Sequence, residues 1–231
     1  MDVHGHSDST AHPERKGLTA PVNYALLALA YLLGAVPTSY WVGRSFHGLD
    51  LREHGSGNLG ATNAFRVLGW SSAVPVVLVD LMKGFLPVWL LPGLTGAGFG
   101  WTLAFGAAAI AGHMFSLFVG FKGGKGIATS AGVFVGLAPW AVLGALVVWC
   151  LLTFSTGYVS VGSIGAALVL PPLIAFTPHR GGLGLLWFAA SLALFVVWAH
   201  RSNIGRLMRG EENRFSRGAA KQRDPASEVD G

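Results

Sequence analysis

Charge is scarce in this chain. Asp, Glu, Lys and Arg supply 12% of its 231 residues, against about a quarter in an ordinary soluble domain, so a fully hydrated soluble fold is excluded. Cysteine is nearly absent too. Cys150, inside the apolar run 147–152, cannot build a disulfide framework and reads as a small buried hydrophobe. No internal repeat is detectable between residues 22 and 201, which speaks against the doubled halves common in transporters.

Apolar residues are abundant instead: 52% of the chain is hydrophobic and the mean hydropathy is +0.53. A helical crossing takes about 20 mostly apolar residues. Such runs fall at 22–43, 70–91, 99–118, 127–137, 140–154, 159–176 and 183–199, and predict an all-α integral membrane protein with seven transmembrane helices. The fourth run is short and Pro139 separates it from the fifth, so these two could instead form a re-entrant pair. Residues 1–21 read as a polar disordered tail without the basic start and cleavage site of a secretory signal. Residues 22–201 read as one membrane domain, and 202–231 as a basic tail. His4, His6 and His12 lie in the first tail with no folded ligand set around them, so no metal is expected.

Lysine and arginine set the orientation, because cytoplasmic loops collect them. With the N-terminus outside, the inner segments hold nine (Arg44, Arg52, Arg66, Lys122, Lys125, Arg201, Arg206, Arg209, Arg214) and the outer side three (Arg15, Lys16, Arg180). The expectation is therefore N-terminus out and C-terminus cytoplasmic. The polar clusters at 52–66, 121–126, 155–163 and 200–214 then share the cytoplasmic face.

The first cluster sets Gly55, Ser56, Gly57, Asn58, Gly60, Thr62 and Asn63 ahead of Arg66. Glycines interleaved with hydroxyl and amide residues let backbone N–H groups turn into one concavity, the arrangement that receives phosphate oxygens, and Arg66 can add a two-pronged donor. Gly55, Gly57 and Gly60 also fit a dinucleotide-binding fingerprint, with Asp80 at the right distance, but no strand precedes them and Asp80 lies within an apolar run. In the second cluster Lys122 and Lys125 bracket Gly123 and Gly124, with Gly126 opening a helix, so ammonium charge, open backbone and a positive helix end share one small volume. It is not a Walker A loop, which needs Gly at 119 and Ser or Thr at 126 where this chain has Val119 and Gly126. Asp80 and Lys83 stand three apart within a span and read as a structural ion pair, with a catalytic Asp80 as the competing reading. Ser160 and Ser163 mark the third cluster. His200 and Asn203, three apart, mark the fourth.

Together these clusters resemble the bacterial acyl-phosphate-dependent glycerol-3-phosphate acyltransferases. The likeness runs from about Tyr31 to Phe215 through G-S-G-N-L-G-A-T-N, G-H-M-F with F-K-G-G-K-G-I-A-T, Y-V-S-V-G-S and H-R-S-N-I-G-R-L. It implies a seven-helix bacterial inner-membrane enzyme whose cytoplasmic site moves a fatty acyl group from acyl phosphate to the 1-hydroxyl of glycerol 3-phosphate, giving lysophosphatidic acid and phosphate. Ser56, Arg66, Lys125, Ser163, His200 and Asn203 match the family's functional positions. This chain departs from the family pattern at Gly157 (usually Arg), Ser116 (usually Pro), Ala35 (often Ser) and Ala199 (often basic).

A mechanism follows from the chemistry of two anionic substrates. Gly55, Gly57, Asn58, Thr62, Asn63, Lys122, Gly123, Gly124, Gly126 and Ser160 are expected to hold phosphate, while Ser56, Ser163 and Asn203 align the hydroxyl with the carbonyl. Acyl phosphate is already activated, so no serine nucleophile, metal or cofactor is expected, and His200 orients instead of serving as an obligatory base. The expected partners are both substrates, membrane lipids and an enzyme that makes acyl phosphate, with no nucleic acid, and the chain is expected to be a monomer. No histidine has Asp five positions later, which disfavours the thioester-dependent acyltransferases. The alternative is a membrane transporter of phosphorylated metabolites.

Overall fold

The computed structural model describes residues 15–96 and 98–215, with side chains from residue 20. Among these residues the regular structure is entirely helical. The helices are α1 (Arg15–Ala35), α2 (Thr38–His47), α3 (Ala61–Leu68), α4 (Trp70–Thr95), α5 (Phe99–Met114), α6 (Ile127–Leu137), α7 (Pro139–Thr156), α8 (Val159–Phe176), α9 (Gly182–Ala199) and α10 (Arg201–Met208). A short 3₁₀ turn, Leu117–Val119, follows α5.

Five helices are long and apolar enough to cross a membrane, and α1 with α2 forms a sixth, broken unit bent by 42°. The first apolar run, read from the sequence as 22–43, is thus broken between α1 and α2. Pro37 has no N–H to donate and disfavours helical geometry at Val36, so the helix breaks there. The freed carbonyls are met from neighbouring elements: Ser116 Oγ donates to Ala35 O at 2.5 Å and Lys83 Nζ to Val36 O at 2.7 Å. The fourth run, α6, has only 11 residues and reaches about 16 Å, roughly half the hydrocarbon thickness.

Both tail boundaries also shift. The helix α1 begins at Arg15, so 15–21 is helical and not a disordered tail, while 1–14, with the three N-terminal histidines, lie outside the described residues. Residues 202–215 are folded against the bundle, and 216–231 lie outside the described residues.

Glycine permits the tight packing. A methyl group at Gly84 would overlap the Thr129 carbonyl, and one at Gly132 the Leu81 carbonyl, so α4 and α6 touch backbone to backbone. Small residues serve this purpose where lipid provides no hydrophobic drive between helices. The main core joins Val88, Ile110, Val133, Phe134, Ala141, Ile174 and Leu185, one or more from each of α4 to α9.

The Asp80–Lys83 pair lies inside this packing, with side chains 2% and 6% exposed and 2.8 Å apart. Thr38 Oγ1 donates to Asp80 Oδ1 at 3.1 Å, and His113 Nδ1 stands 3.8 Å from the same oxygen. Lys83 therefore ties α4 to the helix break while Asp80 balances its charge.

Candidate active site

The loops before α3 and α6 and the segment after α9 gather at one end of the bundle, around a cavity of about 560 Å³. Its polar end carries Ser56, Asn58, Thr62, Arg66, Lys125, Ser160, Ser163, His200, Asn203, Arg206 and Glu212. Much of its remaining wall is apolar and runs between α6, α7, α8 and α9, past residues such as Val135, Leu146, Leu170 and Leu192, with Asp80, His113 and Ser130 also on the lining. One space thus joins a charged mouth to a shaft shaped for hydrocarbon.

The loop before α3 is braced from within. Asp50 accepts from Arg44 at 3.0 Å and from Arg52 at 2.7 Å, and these guanidinium groups hold its carboxyl well below the usual range, the Arg52 hydrogen bond contributing most. Asn63 Oδ1 accepts from Ser56 N at 2.8 Å, while its Nδ2 donates to Leu51 O and His54 O. Asn63 was expected to bind phosphate, but its amide is committed to holding the loop. Gly55 and Gly57 take positive φ, 62° and 69°, and turn the chain outside the cavity wall.

The glycine–lysine turn is likewise partly committed. The N–H of Gly123 donates to Met114 O at 3.0 Å, and that of Gly124 to His113 O at 3.2 Å, so neither is free for an anion. Lys122 is exposed and off the cavity wall, following Phe121 at φ 60°. The sequence reading of a two-lysine clamp is corrected to one lysine. Lys125, Gly126, Ile127 and Ala128 do line the cavity, which leaves the first N–H groups of α6 beside the Lys125 ammonium.

The histidine end adds two residues that the sequence reading left out. Glu212 Oε1 accepts from Asn203 Nδ2 at 2.6 Å and Ser160 Oγ at 3.0 Å, and its Oε2 from Arg206 Nε at 2.8 Å. Asn203 Oδ1 in turn accepts from Lys125 Nζ. Arg206 was legible in principle, because it stands one turn beyond Asn203. Glu212 was not: it follows the last helix, in a segment with no periodicity. That segment is pinned where Phe215 N donates to Gly157 O at 2.7 Å, with the Arg214 guanidinium 5.6 Å over the Tyr158 ring. Gly157 sits at φ 79° as the cap of α7, a conformation glycine adopts without strain.

Electrostatics point to an anion. Arg66 has no hydrogen-bonding or ion-pair partner among the described residues, and burial lowers its pKa. Burial and then the positive charges of Arg206 and Arg66 lower Lys125 to about 8, against one opposing carboxylate, Glu212. Three crowded cations with a single counter-charge favour a bound dianion. Burial, then Lys125, lowers His200 to about 4. Its Nδ1 lies 2.8 Å from Val196 O, an acceptor only, so the neutral ring holds its proton there and keeps Nε2 as an acceptor.

A family model described as glycerol-3-phosphate acyltransferase matches residues 24–210. The chain belongs to the glycerol-3-phosphate acyltransferase family. A relative of that name from Trichlorobacter lovleyi is 47% identical over 189 residues, covering 82% of this chain and 95% of the relative. One from Fusobacterium nucleatum is 41% identical over 192 residues, covering 83% and 97%. Crystal structures of PlsY, an integral membrane glycerol 3-phosphate acyltransferase, superpose with TM-scores of 0.77 for its glycerol 3-phosphate form and 0.76 for its lysophosphatidic acid form. They are 36% and 35% identical to this chain and cover 84% of it and 96% of their own length. This chain is accordingly a membrane acyltransferase of phospholipid synthesis.

Proposed function

We propose that this acyltransferase moves a fatty acyl group from acyl phosphate to the 1-hydroxyl of glycerol 3-phosphate, at a site open to the cytoplasm in a seven-span, N-out topology. The observation that carries this reading is the single cavity whose mouth holds Arg66, Lys125 and Arg206 and whose shaft is apolar. Two phosphates need the cations, and one acyl chain needs the shaft. Ser56, Ser163 and the Nε2 of His200 are placed to orient the glycerol hydroxyl beside the acyl carbonyl. The hydroxyl oxygen attacks the carbonyl carbon, the bond from that carbon to the phosphate oxygen breaks, and the departing phosphate carries off the hydroxyl proton. His200, with a pKa of about 4, is too weak a base to keep that proton at neutral pH, so it orients.

Purified protein supplied with glycerol 3-phosphate and palmitoyl phosphate is expected to form lysophosphatidic acid and phosphate. Uptake of glycerol 3-phosphate into vesicles without product would establish the transporter instead. Sidedness has its own check, with Cys150→Ala as background. Single cysteines at Lys122 and Arg209 should react with an impermeant reagent only in inverted vesicles, and one at His179 only in intact cells; labelling of 122 and 209 from opposite faces would end the proposal.

The pH profile has a defined sign. Lys125 is protonated below its pKa of about 8 and loses its charge above it, whereas a phosphate monoester becomes a dianion above about pH 6. The kcat/KM for glycerol 3-phosphate should rise through about 6 and fall above about 8. Lys125→Arg should move the alkaline fall upward, and an unmoved fall would assign it to another group.

A further inference from the structure

The wall of the cavity includes Trp149 on α7 and Ser163 on α8. The indole Nε1 lies 3.3 Å from Ser163 Oγ. We propose that Trp149 is a positioning residue for acyl transfer, its N–H fixing the Ser163 hydroxyl as a donor into the cavity. This rests on the acyl-transfer reading above and adds to it a residue that acts through Ser163.

The argument begins with what an indole can do. Its N–H donates and cannot accept, so in this pair Ser163 Oγ is the acceptor. The hydroxyl proton must then find an acceptor of its own. Ser163 is 4% exposed, which removes bulk water, and no other group among the described residues bonds to it. The remaining direction is the cavity that Ser163 lines. A helical serine otherwise tends to turn back onto the carbonyl four residues earlier, here that of Val159, and no such bond is present. A hydroxyl that accepts one hydrogen bond also donates more strongly to the next. An acyl phosphate offers fitting acceptors, its phosphoryl oxygens and the carbonyl oxygen that gains negative charge as the glycerol oxygen attacks.

Helix packing keeps the pair in register. Beside Ser163, a methyl group at Gly162 would overlap Thr153 Oγ1 and stand 2.8 Å from Trp149 O, so α7 and α8 meet with no spacing side chain at this level. The ring is half-buried and lines the cavity.

The test is a double-mutant cycle on enzyme reconstituted in vesicles, with glycerol 3-phosphate and palmitoyl phosphate as substrates. Trp149→Phe should lower kcat by about 3- to 10-fold, the loss of one ordinary hydrogen bond, with the KM for glycerol 3-phosphate within about twofold of wild type. Ser163→Ala should lower kcat further, and adding Trp149→Phe to it should change nothing more, because the indole would have no hydroxyl left to hold. Replacing Trp149 by its sulfur isostere, benzothienylalanine, keeps the shape, removes only the N–H, and should match Trp149→Phe. Wild-type kcat in Trp149→Phe, multiplication of the two losses in the double variant, or full activity of the isostere would each overturn the role. Wild-type protein that forms no lysophosphatidic acid would overturn the acyl-transfer reading and this inference with it, an outcome visible before any variant is compared.

Discussion

Lys125→Ala is expected to lower kcat/KM by on the order of 10³-fold while leaving the protein inserted and folded, as judged by its yield, its elution as a single species and its thermal midpoint. The size of the loss follows from the setting. Lys125 is the ammonium beside the open N–H groups of α6, it is largely shielded from water, and it shares the cavity with Arg66 and Arg206. Removing it leaves two cations for two phosphates and also takes from Asn203 Oδ1 its donor among the described residues. Folding should tolerate the change because the side chain belongs to a loop and is electrostatically strained: burial and the arginines already disfavour its charge. Near-normal turnover in the alanine variant would remove the anion-site argument.

Asp80→Ala is expected to produce the largest loss of stability, about 3–5 kcal/mol, because it strands a buried ammonium. Lys83 would be left 6% exposed with the Val36 carbonyl as its one remaining partner among the described residues. The double variant Asp80→Ala with Lys83→Met removes the stranded charge and should recover most of that loss, since the Val36 carbonyl still accepts from Thr38 N at 3.0 Å. Thermal unfolding in detergent measures both. Asp80 also reaches the cavity wall, so the catalytic reading has its own signature: Asp80→Asn with normal stability and abolished turnover. A double variant no more stable than Asp80→Ala would show that charge pairing is not what Asp80 provides.

The candidate site was legible where chemistry is written in residue type. Ser56, Arg66, Lys125, Ser163, His200 and Asn203 all line one cavity, and each belongs to a polar cluster that interrupts apolar sequence. What could not be read was how each group spends its hydrogen bonds. Asn63, Gly123 and Gly124 look the same in sequence as anion ligands, but their donors go to Leu51, His54, Met114 and His113 carbonyls. Lys122 and Lys125 are equivalent as letters and separate only when the turn at Phe121 points one of them outward. Glu212 belongs to the same class of failure, because the order of residues carries no sign that a chain end folds back to accept from Ser160, Asn203 and Arg206.

Two departures from the family pattern make the same point. Ala35 and Ser116 are 81 positions apart, and nothing local connects them, but the Ser116 hydroxyl caps the Ala35 carbonyl at the helix break. Pro37 announces that break. Which side chains would satisfy its carbonyls depended on α4 and α5 lying against it.

The order of residues alone determined that this protein lives in lipid, that it is built of helices, and that anionic chemistry belongs to its few polar stretches, because a hydrocarbon solvent allows long uncharged runs little else than helix. Tertiary packing decided which of those polar groups remain free for a ligand. A buried donor or acceptor takes whatever partner the neighbouring helices bring within about 3 Å, and that proximity exists only once the helices have packed.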